Sequence, residues 1–304
     1  MSLPDDVVFH DEKFVPSADA TVRVDSLALR YALSVFEGVR LYRTDAGTVR
    51  PWLLEEHLER LAHSLTLMHV PVPDLSGLPV IIAKLVEINS LSDDCYCRIV
   101  INAGNVGLLA SPVEPLLSVT VRPMGRKKWL AQGRAMRLAV STRQRAVAEA
   151  FPTDVKSICQ YAGARLALLD AQAAGFDSCL LSTSDGFVSE APTATLFAVH
   201  SGTLTTPLLA DGPLPGITRA WVIAACMRLG IPVRVGRLAP SDLYRADEAF
   251  LCGTGLEFAA IGSIDAASFP DAGDTHVFQR LVGQYFAEAR NRSTPTALGR
   301  WHRD

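Results

Sequence analysis

Alternation of apolar and polar residues predicts short strands in both halves of the chain. In the first half these stretches, rich in β-branched and aromatic residues, lie at 21–24, 39–43, 48–50, 95–104 and 116–123. The turn signal Asp45-Ala-Gly47 separates the second from the third, so these two should pair as a hairpin. In the second half the predicted strands lie at 136–142, 177–183, 187–190, 195–202, 203–208, 231–236, 248–255 and 258–265.

Apolar residues at spacings of three and four predict amphipathic helices between these strands. The helices fall at 53–70, 78–91, 157–174, 213–230 and 276–292, with a shorter one at 240–246. Gly175 follows the third of them, as is common after the last turn of a helix. Because strands and helices mix in both halves, the predicted fold class is α/β, or α+β with mixed sheets.

Two domains are predicted from the length of 304 residues and from a break in the pattern. The strand alternation stops at Pro123, and the charged, glycine-containing tract GRKKWLAQG follows. We therefore expect a small N-terminal domain at 1–123, a connection at 124–134 and a larger C-terminal domain at 135–304 that carries Lys156. The last residues, 293–304, have the composition of a tail.

Charge and cysteine usage narrow the class of protein. The formal net charge is −3, with acids and bases mixed along the chain, so neither nucleic acid nor an anionic membrane is expected as a partner. A secretion signal and a long apolar run are both lacking in the sequence, which favours a cytoplasmic protein. The six cysteines are scattered through apolar stretches, which predicts reduced, buried thiols and no metal site.

Lys156 is the strongest candidate for a nucleophilic amine. The chain has only five lysines, and Lys156 alone stands between a proline-containing turn and a long helix rich in small residues. A lysine in such a place is desolvated, which favours the neutral amine that attacks a carbonyl group. The alternative is a surface lysine beside a helix start.

Two glycine-containing segments are candidate anion sites. Gly216-Ile217-Thr218 opens a helix, so the N–H groups of the first turn, the helix dipole and a hydroxyl meet there. Gly253-Thr254-Gly255 ends a strand and combines small residues with another hydroxyl. Each segment alone is equally typical of a structural cap or turn.

Glu190 and Tyr161 are weaker candidates. Glu190 lies among apolar and small residues at the end of a predicted strand, where burial is costly unless the carboxylate meets a cation. The alternative is an edge-strand glutamate that faces water. Tyr161, five residues after Lys156, reaches the same pocket only if Lys156 precedes the helix, and core packing is the alternative.

Seven motifs, in this order and at compatible spacings, resemble the fold-type IV pyridoxal 5′-phosphate (PLP) enzymes. They are SVFEGVRLY, EEHLERL, YCRIVINAGNVG, the Lys156 segment ending in QY, GFVSE, LPGITRA and FLCGTGLE. Within that class the sequence is most similar to the branched-chain amino acid aminotransferases, from about residue 20 to residue 290. The resemblance implies a two-domain fold and PLP as the cofactor.

The resemblance also implies a role for each residue at the cofactor. Lys156 binds PLP covalently and, once displaced by substrate, moves the proton between the substrate Cα and the cofactor. Glu190 keeps the pyridine nitrogen protonated, and Tyr161 hydrogen-bonds the phenolic oxygen. The remaining residues bind the phosphate: Arg60, the backbone N–H of Ile217, Thr218 and Thr254.

For the substrates, the resemblance implies an aliphatic amino acid and a 2-oxo acid, 2-oxoglutarate. The residues that wall the side-chain pocket are Tyr31, Phe36, Gly38 and Tyr96. Arg98 takes the distal carboxylate, and the N–H groups of Thr254 and Gly255 take the α-carboxylate. A homodimer is implied, with Tyr31 near the active site of the partner. Gln160 replaces the asparagine that the family usually has before the tyrosine, and the role of Arg40 is left open.

Three alternatives stay open at this point. The same scaffold supports an aminodeoxychorismate-type lyase, in which the lysine drives elimination. It also supports transamination of D-amino acids or (R)-amines, which the Arg40 and Arg98 pattern favours less. The third is a non-catalytic binding module. The joint retention of Lys156, Tyr161, Glu190 and Arg60 argues against it, because a degenerate site would be expected to lose some of them.

Overall fold

The computed structural model describes residues 6–270, 276–291 and residue 298. The predicted tail at 293–304 lies outside these residues apart from residue 298. Contacts divide the described chain into two compact units. The first takes in the chain up to Gly125, Val155–Cys159 and the end of the last helix from Arg290; the second takes in Arg126–Asp154 and Gln160–Ala289.

The first unit is a six-stranded antiparallel sheet covered by helices. In chain order its elements are β1 (Val7–His10), β2 (Lys13–Pro16), α1 (Leu27–Tyr31), β3 (Ser34–Arg43), β4 (Val49–Pro51), α2 (Leu54–Leu67), α3 (Leu78–Ile88), β5 (Cys95–Ala103) and β6 (Pro115–Pro123). The strands lie in the order β2-β1-β6-β5-β3-β4. The inward faces of β3, β5 and β6 pack against α2 and α3 to form its core.

The structure confirms the hairpin and the two helices predicted in this unit, corrects one strand and adds a hairpin that was not predicted. Residues 21–24 form no strand: Val24 is 84% exposed, so the alternating pattern has no core to face. The polar N-terminal segment instead forms the β1–β2 hairpin. Asp11 and Glu12 make its turn with φ of 49° and 62°, a conformation for which the sequence carries no glycine as a signal.

The second unit is built on an eight-stranded sheet among the described residues. Its elements are α4 (Lys128–Ala131), β7 (Met136–Gln144), α5 (Tyr161–Ala173), β8 (Ser178–Ser182), β9 (Thr195–His200), β10 (Thr203–Thr206), α6 (Ile217–Leu229), β11 (Val233–Val235), α7 (Pro240–Leu243), β12 (Glu248–Gly253), β13 (Glu257–Ile264), β14 (Ala267–Ser268) and α8 (His276–Arg290). The order β11-β10-β9-β12-β13-β7-β8 combines parallel and antiparallel pairs, with β14 on β13. The predicted mixed-sheet class is therefore confirmed.

Residues 187–190 do not form the predicted strand. Val188 makes a single bridge with Ser182, and Glu190 lies in an irregular stretch beside it. The helix predicted from residue 157 begins at Tyr161, after a 3-10 turn at Ile158–Gln160, so Lys156 precedes the helix.

The division predicted from the sequence places Lys156 in the C-terminal domain, and that division stays a prediction. By contacts, Val155–Cys159 group with the first unit, because the backbone of Lys156 bonds to β3 and α2. No helix in the described part of the chain is long and apolar enough to cross a membrane. The predicted cytoplasmic location is not tested by this finding.

All six thiols are free, and five of them are buried. Cys159 is the half-buried exception to the predicted burial. Burial raises the pKa of Cys95 and of Cys179 to about 11, so these two are neutral at physiological pH.

Candidate active site

Lys156 is held between β3 and α2 in the first unit. Its backbone N–H donates to Ser64 Oγ at 3.1 Å, and its carbonyl accepts from the Phe36 N–H at 3.1 Å. The side chain is half-buried, and Nζ lies 4.8 Å from the centroid of the Phe36 ring. Two hydrogen bonds therefore hold the backbone of Lys156, and its amine lies over an aromatic face.

The residues predicted to wall the substrate pocket meet on β3 and β5. Gly38 lies opposite Arg98 in the register, and the Arg98 guanidinium stacks 3.9 Å from the centroid of the Phe36 ring. The Tyr96 hydroxyl lies over Gly38, where an added Cβ would come within 1.8 Å of it. The structure thus brings these four residues together with Lys156. Tyr31 lies outside these two strands, half-buried at the end of α1.

Arg60, a predicted phosphate ligand, belongs to a buried cluster of three charged or titratable groups. Glu37 Oε1 accepts from Arg60 Nε at 2.7 Å and Glu37 Oε2 from Arg60 Nη2 at 2.8 Å, a bidentate pair. His57 Nδ1 lies 2.7 Å from Glu37 Oε2. All three side chains are at most 3% exposed, so the pair orients the guanidinium in a low-dielectric setting.

Burial and charge set the ionisation of this cluster. Burial is the largest influence on Glu37 and would raise its pKa, but Arg60 and His57 outweigh it and hold the pKa well below its usual range. Burial is also the largest influence on His57 and lowers its pKa, against the raising effect of Glu37. A charged Glu37 can only accept hydrogen bonds, so a neutral His57 carries its hydrogen on Nδ1.

Glu190 lies in the second unit and is 8% exposed. The cation that this burial requires is Arg145, whose Nε lies 2.9 Å from Glu190 Oε1. The Leu214 N–H donates to Oε2 at 3.2 Å. The carboxylate is therefore held on both oxygens.

Tyr161 is the first residue of α5, and the residue before it is fixed by the same arginine. Arg145 Nη2 donates to Gln160 Oε1 at 2.6 Å, and Gln160 Nε2 donates to the Pro152 carbonyl at 2.9 Å. Gln160, which replaces the usual asparagine of the family, is thus hydrogen-bonded to Arg145, the ion-pair partner of Glu190.

The two predicted anion sites are neighbours within the second unit. A Cβ on Gly216 would lie 3.1 Å from Thr195 Oγ1, and Thr195 pairs with Cys252, the residue before Gly253. Helix α6 begins at Ile217 with Gly216 as its cap, which makes no side-chain cap bond, and Thr218 is 3% exposed. A buried helix N-terminus without a side-chain cap suits a phosphate group. Thr254 and Gly255 form the turn between β12 and β13.

Residues 34–264 match the family model of amino-transferase class IV. The chain belongs to the class IV aminotransferases. This aminotransferase is 31% identical over 288 residues to the branched-chain-amino-acid aminotransferase of Escherichia coli strain K12, covering 92% of each chain. A crystal structure of the Escherichia coli branched-chain amino acid aminotransferase superimposes with a TM-score of 0.89 at 30% identity, covering 97% of this chain and 98% of that one.

A second solved relative bears on the cofactor. It is a branched-chain amino acid aminotransferase from T.th., complexed with N-(5′-phosphopyridoxyl)-L-glutamate. Its TM-score is 0.85 at 30% identity, and the match covers 96% of both chains. The fold of this aminotransferase is therefore that of the fold-type IV enzymes, and its activity is PLP-dependent transamination.

Each unit contains groups of the kinds that PLP requires. An aldehyde needs an amine, which Lys156 has; a phosphate needs cationic or N–H donors, found at Arg60 and at the start of α6; a pyridine nitrogen needs a carboxylate, found at Glu190. Sequence reasoning missed Glu37, His57 and Arg145. The i, i+3 spacing of His57 and Arg60 in EEHLERL was the one local signal.

Proposed function

We propose that this aminotransferase exchanges an amino group between an apolar, branched-chain L-amino acid and 2-oxoglutarate. The observation that carries the proposal is the Arg98 guanidinium stacked 3.9 Å from the Phe36 ring centroid, with Lys156 Nζ 4.8 Å from the same centroid. An apolar ring suits an aliphatic side chain, while an arginine beside it suits the distal carboxylate of glutamate. The names of the relatives, which act on branched-chain amino acids, support the same assignment.

We assign the following residues to the cofactor and its substrates, as the family resemblance implies. Bound PLP supplies the electron sink that stabilises negative charge at the substrate Cα. Lys156 holds the cofactor covalently and, when released, moves the Cα proton. Glu190 accepts from the pyridine nitrogen and Tyr161 donates to the phenolic oxygen, while the phosphate is bound by Arg60, the Ile217 N–H, Thr218 and Thr254.

In the substrate pocket, Phe36, Gly38, Tyr96 and Tyr31 enclose the side chain. The N–H groups of Thr254 and Gly255 receive the α-carboxylate. Since the Tyr96 hydroxyl occupies the space above Gly38, a residue larger than glycine would displace it.

Single half-reactions test the substrate assignment. The holoenzyme is mixed with Leu, Ile, Val, Glu, D-Ala or an aromatic amine, and cofactor conversion is followed by absorbance. We expect Leu, Ile, Val and Glu to react. Arg98→Met should lower the Glu rate relative to the Leu rate by at least about tenfold, because a charge-assisted hydrogen bond is worth about 1.5–3 kcal/mol. Arg122→Met, on the neighbouring strand β6, is the matched control.

Other outcomes would reassign the activity. Faster conversion of D-Ala than of Leu would establish a D-amino acid transaminase. Release of pyruvate from aminodeoxychorismate without an amino acceptor would establish the lyase. An equal loss for Glu and Leu in Arg98→Met would remove the role assigned to that arginine.

We propose further that two copies of the chain associate through the surface around α1 and residues 104–114. These segments are joined by bonds from the Leu27 N–H to the Asn105 carbonyl at 2.9 Å and from Arg30 Nη1 to the Gly107 carbonyl at 3.0 Å. Their apolar side chains are unusually exposed: Val24 84%, Leu29 60%, Val106 48%, Leu108 72% and Leu109 68%. Such a patch, adjacent to Tyr31, is typical of a protein interface, and the family resemblance makes the second copy its occupant.

Light scattering coupled to gel filtration checks the dimer. The wild type should elute with twice the mass of one chain, and Leu108→Asp should shift it toward the monomer, because a charge at an apolar interface is left desolvated. Val80→Asp, at a 73% exposed position on α3, is the control and should remain dimeric. A monomeric wild type would refute the proposal.

A further inference from the structure

Arg145 contacts three segments of the second unit: one contains Glu190, one immediately precedes Tyr161, and one leads to the start of α6. It lies just beyond the end of β7. Its Nε lies 2.9 Å from Glu190 Oε1 and donates to the Gly212 carbonyl at 3.1 Å, and its Nη2 donates to Gln160 Oε1 at 2.6 Å. Gln160 immediately precedes Tyr161. No local sequence signal marks this arginine, yet it contacts three segments that are distant from one another in the sequence.

The third contact leads to the predicted phosphate site. Gly212 has a φ of 85°, and a Cβ there would lie 3.3 Å from Arg145 Cγ, so the glycine permits the close approach of its carbonyl. Two residues later the Leu214 N–H donates to Glu190, and two residues after that Gly216 caps α6. The loop before α6 is therefore tied to both members of the Arg145–Glu190 pair.

Burial restricts the motion of the Arg145 and Glu190 side chains and strengthens the electrostatic interaction between them. The side chains of Arg145 and Glu190 are 8% and 10% exposed. A guanidinium is a planar fork with fixed donor directions, so one arginine can set the relative positions of several acceptors. A buried carboxylate without its cation would favour the protonated form and lose its value as an acceptor for a pyridine N–H.

We propose that Arg145 is a positioning residue for the cofactor ring: it pairs with the Glu190 carboxylate and holds the Glu190, Tyr161 and Ile217–Thr218 segments in fixed relative positions. The proposal rests on the proposed use of these residues at PLP. It also gives Gln160 a role, because its side chain, longer than that of the usual asparagine, reaches Arg145 from the residue before Tyr161. Arg145 itself is not assigned a contact with substrate or cofactor.

Cofactor binding to reconstituted apoprotein tests the role. Arg145→Met should weaken PLP binding by about 10- to 100-fold, the usual loss when the outer partner of a binding group is removed, and should shift the absorbance maximum of bound PLP. Arg143→Met is the matched control: this arginine is two residues away, 46% exposed, and paired with exposed Asp170. It should bind PLP within twofold of wild type with an unchanged spectrum.

Two further variants separate positioning from a general loss of structure. Arg145→Lys keeps the charge but not the fork, and Gln160→Ala removes the bond from Arg145 together with the bond to the Pro152 carbonyl, so both should give a smaller spectral shift than Arg145→Met. Combining Arg145→Met with Glu190→Gln should weaken binding by less than the product of the two single effects, because the neutral amide no longer needs a cation. If Arg145→Met fails to fold, the Gln160→Ala spectrum decides the question.

The outcomes distinguish this inference from the proposed function. A wild type that takes up no PLP refutes the proposed function. The coupling between Arg145 and Glu190 is then measured from the free energies of unfolding of the single and double apoprotein variants. A wild type that binds PLP, with Arg145→Met or Gln160→Ala unchanged in affinity and spectrum, refutes the inference. So does a double variant whose binding loss equals the product of the single losses.

Discussion

Lys156→Ala should lower the rate of amino-group transfer by at least about 10³-fold. The variant loses both the covalent attachment of the cofactor and the group that moves the Cα proton, and general acid–base catalysis alone contributes about 10²- to 10⁴-fold. Borohydride reduction of the holoenzyme, followed by peptide mass analysis, should find the cofactor attached to Lys156 in the wild type. The variant should show no such adduct.

Lys84→Ala is the control for this substitution. Lys84 lies on α3 with its side chain 49% exposed and its Nζ 3.0 Å from Glu87 Oε2. Its replacement should leave both the rate and the reduced adduct unchanged. An adduct on another lysine, or a Lys156→Ala rate within tenfold of wild type, would contradict the assignment of the nucleophile.

The parts of the candidate site that the sequence predicted are those with a local signature. A glycine before a helix, as at Gly216, or a glycine ending a strand, as at Gly253, can be recognised from a few neighbouring residues. The structure adds that Thr195 lies between them, a contact made by pairing of β9 with β12. Lys156 was selected because few lysines exist and because of its place before a helix, both of which are properties of the sequence alone.

The parts that sequence reasoning missed depend on contacts between distant positions. Arg145 and Glu190 are 45 positions apart by their numbers, and nothing near either residue indicates the other. The same holds for Glu37 on β3 and its partners on α2, which approach only when the helix packs on the sheet. Local alternation also failed at residues 21–24, because a strand requires a neighbouring edge and a core to face.

Glu37→Gln should lower the free energy of unfolding by about 3–5 kcal/mol. The substitution removes the charge that compensates the buried Arg60, and removing one partner of a buried ion pair leaves the other uncompensated. Glu87→Gln makes the same chemical change in the same unit at an exposed pair, where about 0–1 kcal/mol is expected. Denaturant unfolding of the apoprotein variants measures both values.

The pH dependence of that difference identifies its origin. Because the pKa of Glu37 is held below its ordinary value of 4.5 in the folded protein, the carboxylate adds its full stability above about pH 4.5 and loses it as the pH falls further. From pH 7 down to pH 4.5 the gap between wild type and Glu37→Gln should not narrow, and it should widen where His57 titrates, because the variant loses the raising effect of Glu37 on the His57 pKa. It should then narrow by up to about 1.4 kcal/mol per pH unit below pH 4.5.

A gap that stays constant into acid would mean that packing around residue 37, and not its charge, accounts for the loss. Glu37→Leu combined with Arg60→Met distinguishes these two causes in a second way. Replacing both members of a buried pair by apolar residues of similar volume is often neutral or stabilising. The double variant should therefore recover the part of the stability that the uncompensated Arg60 charge costs in Glu37→Gln, although His57 still loses its bond to residue 37, and it should lose the guanidinium assigned to the phosphate. Stability and cofactor binding would then separate at Arg60, as expected if the pair is kept for the ligand and not for the fold.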